Sequence, residues 1–178
     1  MARTFFIAAV FLAAFMITAC QTQRIWISSP GHQTLNGGPY DIVLEPLKQE
    51  ADFFNWFRLT VKNKTTLDME VDWNRTRYIH NGKEAGPFVF AGVVPESVRN
   101  GTVPGALIPA GTTFVRDIIP FKLIAFTPLR DQTIDTEQRN ILPGLIPEGE
   151  NGVSLIILQN GKRARARVSV NIEARKIE

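Results

Sequence analysis

Apolar and polar residues alternate strictly in three stretches of the chain, 57–62, 67–74 and 163–172. In the last stretch, alanine, valine and isoleucine occupy the even positions, and arginine, serine and asparagine occupy the odd ones. A β-strand points successive side chains to opposite faces, so this pattern buries its apolar residues only in a sheet with one covered face. The three stretches therefore predict antiparallel strands packed against a core.

Apolar runs and turns extend this pattern to other parts of the chain. Tyr40–Leu47 and Thr113–Ile119 predict strands, and Val153–Gln159 is almost entirely apolar, as in a central strand buried on both faces. The pair Asn160–Gly161 predicts a two-residue turn between that central strand and the last one. The short turn at 63–66 predicts that the first two alternating stretches form a hairpin.

Two long stretches are rich in proline and glycine instead. Residues 91–112 and 127–152 predict loops, with one helical turn near 135–140. The pair Asn81–Gly82 predicts a further tight turn. No helix of convincing length is predicted after residue 20, and about seven strands separated by turns predict an all-β antiparallel sandwich.

Three short blocks of sequence resemble a known type of sandwich. They are Leu59-Thr60-Val61-Lys62-Asn63, Ile79-His80-Asn81-Gly82-Lys83 and Ile108-Pro109-Ala110-Gly111-Thr112. Their order resembles that of immunoglobulin-like domains of the late-embryogenesis-abundant type-2 kind, which occur in bacterial envelope proteins. The resemblance implies an immunoglobulin-like β-sandwich of about seven strands with a binding or structural role and no chemistry of its own. Fold alone does not fix function.

The start of the chain has an apolar run of 13 residues, Phe5–Ile17, after the single basic residue Arg3. This run is shorter than the roughly 20 residues that a membrane-spanning helix needs. A basic start, an apolar run of this length and small residues after it are typical of a secretory signal peptide. The sequence therefore predicts a signal-peptide helix in residues 1–19.

The signal peptide ends at a motif of four residues, Ile17, Thr18, Ala19 and Cys20. The motif resembles the lipobox of bacterial lipoprotein precursors, which has a branched apolar residue, two small residues and a cysteine. The resemblance implies cleavage before Cys20 and diacylglycerol on its thiol, with an acylated amino group as well. Two or three acyl chains on one residue give a stable membrane anchor. A plain signal peptide with a chance cysteine and a short uncleaved anchor are the alternatives.

The residues after the cysteine bear on location and on domain organisation. In lipoproteins an aspartate at this place tends to retain the protein at the inner membrane, and this chain has Gln21. The resemblance therefore implies the outer membrane of the cell envelope, facing the periplasm. Residues 20–39 predict a tether, and 40–178 a single sandwich domain. Within the tether, Ile25-Trp26-Ile27 predicts either a patch on the bilayer surface or a short strand docked on the domain.

Residues that support catalysis or metal binding are scarce. His32 and His80 are the only histidines and lie far apart in the sequence, and Cys20 is assigned to lipid. No G-x-S-x-G, H-E-x-x-H or phosphate-binding glycine motif occurs. A strand spaces alternate residues about 7 Å apart, which is unlike a calcium-binding loop. This spacing applies to the carboxylates Asp68, Glu70 and Asp72. The sequence predicts a non-enzyme with no metal and no cofactor.

One cationic row stands out in the last predicted strand. Arg163, Arg165 and Arg167 share one face, and Lys162 lies beside them. The row predicts a contact with anionic lipid head groups, with lipopolysaccharide phosphates or with an acidic partner. Two structural explanations stay open. The charges can block pairing of an edge strand, or they can pair with the three carboxylates of the predicted strand at 67–74.

The charge balance and the motifs together favour two functions. Removal of residues 1–19 leaves 19 basic and 17 acidic residues, which gives no argument for nucleic acid. The first function is a lipid-anchored binding or structural module for an envelope protein or an anionic surface. The second is an accessory for export or assembly, which receives another envelope protein at an open sheet edge by β-augmentation. A hydrolase built around His80 is a distant third.

Overall fold

The computed structural model describes residues 24–126 and 141–177, and strands dominate these residues. The strands are β1 (Arg24–Ser29), β2 (Gln33–Asn36), β3 (Tyr40–Leu47), β4 (Trp56–Asn63), β5 (Met69–Val71), β6 (Arg77–His80), β7 (Lys83–Glu84), β8 (Phe88–Val89), β9 (Ala106–Ile108), β10 (Thr113–Pro120), β11 (Ile124–Phe126), β12 (Ile141–Pro143), β13 (Gly149–Gln159) and β14 (Lys162–Lys176). The other elements are helix α1 (Pro95–Asn100) and a 3₁₀ turn at Phe121–Leu123.

Two antiparallel sheets face each other and form a sandwich. The larger sheet has seven strands in the order β1–β14–β13–β5–β9, with β6 beside β13 and β7 beside β6. The smaller sheet has five strands in the order β2–β3–β4–β10–β8, and β11 and β12 form a separate pair. The predicted all-β sandwich is therefore confirmed. Its strands are more numerous than predicted, because segments rich in glycine and proline still form short strands of two to four residues.

The core lies between the two sheets because each long strand points alternate side chains inward. Phe57 of β4 and Tyr78 of β6 belong to opposite sheets, and their ring centroids are 6.5 Å apart. Trp73 extends the aromatic core, with its ring centroid 4.7 Å from that of Phe90. Complete burial of one large apolar side chain contributes about 1.5–3 kcal/mol. The side chains with no exposed surface include Ile42, Leu44, Phe57, Leu59, Val61, Val71, Ile118 and Leu155.

The hairpin of β13 and β14 is the longest pairing in the larger sheet. It runs from Gly149 opposite Ile172 to Gln159 opposite Lys162. The turn residues Asn160 and Gly161 have φ angles of 48° and 70°, as a two-residue hairpin turn requires. The strand β13 is buried from residue 151 to 157, since β14 pairs with one edge and β5 and β6 with the other. The predicted central strand and its turn are confirmed.

The hairpin predicted between residues 57–62 and 67–74 is wrong. The strand β4 pairs with β3 and β10 in the smaller sheet, whereas β5 pairs with β13 and β9 in the larger one. The chain therefore crosses from one sheet to the other after Asn63. Both runs bury one face as predicted, but they bury it across the core and not as neighbours. Leu67, predicted to be inward-facing, is 53 % exposed.

Residues 24–36, predicted as part of a tether, lie in the sandwich. The strand β1 pairs with β14 from Arg24 opposite Lys176 to Ser29 opposite Asn171. The strand β2 pairs with β3. Of the two alternatives for Ile25-Trp26-Ile27, the structure has the strand docked on the domain. The sheet thus begins four residues after Cys20.

The stretch 91–112, predicted as a loop, contains two short elements, α1 and β9. The helix α1 has proline at its first turn and ends before Gly101, whose φ is 64°. Six residues are too few for a helical period to be read from sequence. The helical turn predicted at 135–140 and the signal peptide predicted at 1–19 lie outside the described residues. Within the described ranges, no helix is long and apolar enough to cross a membrane.

The buried phenol of Tyr78 predicts a loss of stability at alkaline pH. Its hydroxyl donates a hydrogen bond to Oδ1 of Asn151, and burial raises the pKa of Tyr78 above its ordinary value of 10.0. The unfolded chain releases this proton near pH 10 while the native protein keeps it, so this stability is complete below about pH 10 and falls above it. We expect a loss of up to about 1.4 kcal/mol per pH unit above pH 10, measured by urea unfolding.

Two tyrosine variants separate this contribution from other alkaline titrations, because Tyr40 and Tyr78 are the only tyrosines in the chain. Tyr78→Phe is expected to flatten the decline above about pH 10, although it costs stability at neutral pH through the lost hydrogen bond. Tyr40→Phe is expected to flatten it less, since Tyr40 is only half-buried. Equal alkaline slopes in the wild type and Tyr78→Phe would contradict the assignment.

Candidate binding site

The predicted arginine row lies in the first half of β14 and points away from the core. Ala166 and Val168 of the same strand are 4 % and 3 % exposed and belong to the core. The alternation of side chains therefore places Arg163, Arg165 and Arg167 on the outer face of the larger sheet, and all three are exposed. The sequence predicted this face correctly.

The same half of β14 is an open edge among the described residues. The strand β1 pairs with residues 171–176, and no described strand pairs with that edge over residues 162–170. In a two-residue hairpin turn, the flanking residues Gln159 and Lys162 form a hydrogen-bonded pair. From Lys162 onward, every second residue of β14 directs its N–H and C=O groups toward β13, and the residues between them direct theirs away. The N–H and C=O groups of residues 163, 165, 167 and 169 therefore point to the open edge.

Arg165 is the member of the row with an ion-pair partner. Its Nη1 lies 3.8 Å from Oε1 of Glu84 on β7. The strands β13 and β6 lie between these two residues, and they carry Ile156 and Ile79 on the same outer face. Both isoleucines are buried although they lie outside the core between the sheets. The arginine stem is thus placed to cover them, and the exposed ion pair itself contributes about 0–1 kcal/mol.

The other two arginines make no hydrogen bond or ion pair with any described residue. Among the described residues, the row makes no ion pair with the carboxylates of residues 68–72. The strand β13 lies between β14 and β5, so these strands are not the neighbours that this explanation required. Asp68 instead accepts a hydrogen bond from the N–H of Ala110 at 2.8 Å, and Asp72 pairs with Arg75 at 3.3 Å. The explanation by cross-strand ion pairs is therefore wrong, whereas a charged open edge agrees with the geometry.

A cleft of about 430 Å³ opens at the turn end of this edge. Its floor is apolar and its rim is cationic. Burial raises the pKa of the Tyr40 phenol at the floor. Ala164 has a small side chain on the inner side of β14 and is still exposed, so space remains beside it. The residues that define the cleft are Tyr40, Leu67, Ile157 and Ala164 in the apolar part, and Lys162 and Arg163 at the rim.

Polar side chains from both sheets fix the wall that carries Leu67. Nδ2 of Asn63, at the end of β4, donates a hydrogen bond to the carbonyl of Leu67 at 2.9 Å. Nε2 of Gln159, at the end of β13, donates to the same carbonyl at 3.0 Å and to Oγ1 of Thr65 at 2.6 Å. The cleft is therefore held open by hydrogen bonds that connect the two sheets.

The histidines do not assemble a catalytic group with their observed contacts. Nε2 of His80 lies 3.1 Å from the carbonyl oxygen of Glu148, and its ring stacks beside Tyr78. These partners are a backbone group and a phenol ring, not a serine hydroxyl or a carboxylate. His32 is exposed between β1 and β2. In residues 24–126 and 141–177, no three His, Cys, Asp or Glu side chains are grouped to hold a metal ion.

Comparison with known proteins gives no family for this chain. No protein-family model, no curated protein and no solved structure matches it. The predicted lipobox residues Ile17, Thr18, Ala19 and Cys20 lie outside the described residues. The candidate site therefore rests on the open edge, the arginine row and the cleft.

Sequence reasoning found the row but missed the apolar part of the cleft. Tyr40 and Leu67 were predicted to lie in strands. The cleft forms because Tyr40, at the start of β3, meets the bend that carries Leu67 after the chain has left the smaller sheet. The turn Asn160–Gly161 could have indicated which backbone groups of β14 point away from β13, although not that they have no partner. A two-residue turn fixes which backbone groups of the following strand point away from its partner.

Proposed function

We propose that the protein is a lipid-anchored, non-catalytic binding protein of the cell envelope, which holds an extended segment of another envelope protein. The anchor is Cys20, and the location is the outer membrane facing the periplasm. The observation that carries the binding function is the edge of β14 over residues 162–170. There, backbone groups without a strand partner among the described residues occur together with exposed arginines and an apolar cleft. This combination favours β-augmentation over a closed structural module.

The geometry of the edge defines the chemistry of the segment. A strand added beside residues 163–169 pairs with their outward N–H and C=O groups. Its side chains on the outer face lie beside Arg163 and Arg167, which favours carboxylates. Its side chains on the inner face lie beside Ala164 and the cleft, which favours apolar residues. The segment is therefore expected to alternate acidic and apolar residues.

A backbone test distinguishes strand addition from simple charge attraction. The probe is a fluorescent peptide of alternating glutamate and valine, with a scrambled peptide of the same composition as reference. Arg167→Gln removes the positive charge and keeps the backbone N–H at the edge, while Arg167→Pro removes the charge and the N–H together. Proline is tolerated at edge positions whose N–H makes no bond within the sheet. We expect Arg167→Pro to bind the alternating peptide about tenfold more weakly than Arg167→Gln in fluorescence anisotropy.

Three results would overturn the proposal. Equal affinity of Arg167→Pro and Arg167→Gln, with retained circular dichroism, means that no strand is added at this edge. Equal binding of the alternating and scrambled peptides means that only charge is recognised. Binding of anionic vesicles but of neither peptide makes the row a head-group contact. Reversal of all three arginines to glutamate is expected to abolish peptide binding.

A further inference from the structure

A second cleft of about 430 Å³ lies at the opposite side of the sandwich, where β6, β8, α1 and the 3₁₀ turn meet. Its walls are mostly aromatic and aliphatic. Trp73 and Phe88 belong to the core and are each 3 % exposed. The volume is within the range of about 300–1,000 Å³ that small-molecule sites have. The residues used below are Trp73, Arg77, Phe88, Val98, Val103 and Phe121.

Hydrogen bonds from a side chain and from the backbone hold the segments around this cleft in place. Nδ2 of Asn74 donates a hydrogen bond to the carbonyl of Val103 at 2.8 Å, and the N–H of Val103 donates to Oδ1 of the same asparagine at 3.0 Å. The N–H of Phe121 donates to the carbonyl of Pro87 at 2.9 Å. Four chain segments are thereby joined in two pairs around one space, so the cleft is preformed.

Among the polar side chains that line the cleft, the guanidinium of Arg77 is held in place by hydrogen bonds that use only part of its donors. Nη1 of Arg77 donates to the carbonyls of Asn74 and Thr76 at 2.8 and 2.9 Å. Its Nε and Nη2 have no hydrogen-bond acceptor among the described residues. Arg99, on another wall, lies over the ring of Phe121 at 5.6 Å and pairs with Glu96 at 3.5 Å, so Arg77 is the guanidinium considered for the ligand. An oriented guanidinium beside apolar walls suits a carboxylate that carries an apolar group.

We propose that this cleft binds a small amphiphilic monocarboxylate. The carboxylate accepts hydrogen bonds from Nε and Nη2 of Arg77, and the acyl group packs on Trp73, Val98 and Phe121. Removal of apolar surface from water provides the affinity, and the guanidinium provides the preference for an anion. This site is separate from the edge of β14 and does not depend on the function proposed for that edge.

The three tryptophans give a local assay for this site. The full chain in lipid nanodiscs is labelled with 5-fluorotryptophan and titrated with octanoate, and ¹⁹F NMR follows Trp73, with Trp26 and Trp56 as internal references. We expect a saturable shift of the Trp73 signal only. Arg77→Gln is expected to weaken octanoate binding about tenfold, because a hydrogen-bonded charge is lost. Phe121→Ala is expected to weaken it as well, through lost apolar contact.

The matched control is Arg75→Gln, which removes a charge from the turn just before β6, at an exposed residue that does not line the cleft. It is expected to leave octanoate binding unchanged. Octylammonium, which has an eight-carbon chain and the opposite charge, is expected to leave the chemical shift of Trp73 unchanged. The proposal is overturned if all three tryptophan signals move together, if octylammonium acts like octanoate, or if Arg77→Gln binds octanoate as tightly as Arg75→Gln.

Discussion

Replacement of Asn63 by alanine is expected to lower the free energy of unfolding by about 3–4 kcal/mol, because several buried partners lose their bonds at once. Nδ2 of Asn63 donates to the carbonyls of Leu67, Ile108 and Pro109, and Oδ1 accepts from the N–H and the hydroxyl of Thr65. The asparagine has no exposed surface. Without it, backbone groups at the crossing between the sheets remain buried and unpaired.

Urea unfolding at neutral pH measures this loss, with Asn171→Ala as the matched control. Asn171 is half-buried, and its side chain donates one hydrogen bond, to Glu173 on the same strand. We expect the control to change stability by less than about 1 kcal/mol. Asn63→Asp keeps the acceptor but directs a carboxylate at three carbonyl oxygens, so it is expected to be at least as harmful as alanine. Equal losses in Asn63→Ala and Asn171→Ala would refute the role of this network.

Replacement of Cys20 by alanine is expected to abolish acylation entirely. The thiol is the only one in the chain, so no other residue can receive the diacylglyceryl group. Incorporation of radiolabelled palmitate and fractionation of the envelope measure the effect. The wild-type protein is expected to carry label and to stay with membranes after a high-salt wash, since its acyl chains and not surface charges hold it there.

A neighbouring substitution provides the control for this result. Gln21→Asp is expected to keep the palmitate label and to move the protein from the outer to the inner membrane, as the resemblance to lipoproteins implies. Label that persists in Cys20→Ala would show that the assignment of this cysteine is incorrect. Loss of label in both variants would point to general failure of processing instead.

The alternation of residues predicted which faces of the strands are buried, but it did not predict which strands pair. Phe57 and Val71 are both buried as expected, yet they lie in opposite sheets. A strand needs a covered face, and that requirement is met equally by a neighbouring strand in one sheet and by an opposing sheet. A polar turn after Asn63 is compatible with both arrangements. The contacts that decide between them are hydrogen bonds from Asn63 to residues more than 40 positions away, which the local sequence does not show.

The candidate site was predictable to the same extent. The outward direction of Arg163, Arg165 and Arg167 followed from the period of two, and the structure agrees. The open edge did not follow, because it depends on where β1 stops pairing with β14. The length of the tether was overestimated for a related reason. The strand β1 has polar residues on either side of a short apolar stretch, and local pattern does not reveal a partner 150 residues further along.

Under the proposed lipidation of Cys20, the pairing of β1 with β14 limits the distance between the sandwich and the bilayer. With lipid on Cys20, at most about 14 Å of extended chain separates the anchor from Arg24, at about 3.5 Å per residue. Arg24 lies opposite Lys176, so the far end of β14 is the end held near the head groups. Residues 163–169 lie about 20–40 Å from that end along the strand, at about 3.3 Å per residue. Under the proposed anchoring, the short connection to Cys20 limits how far from the membrane a partner held at the open edge can lie.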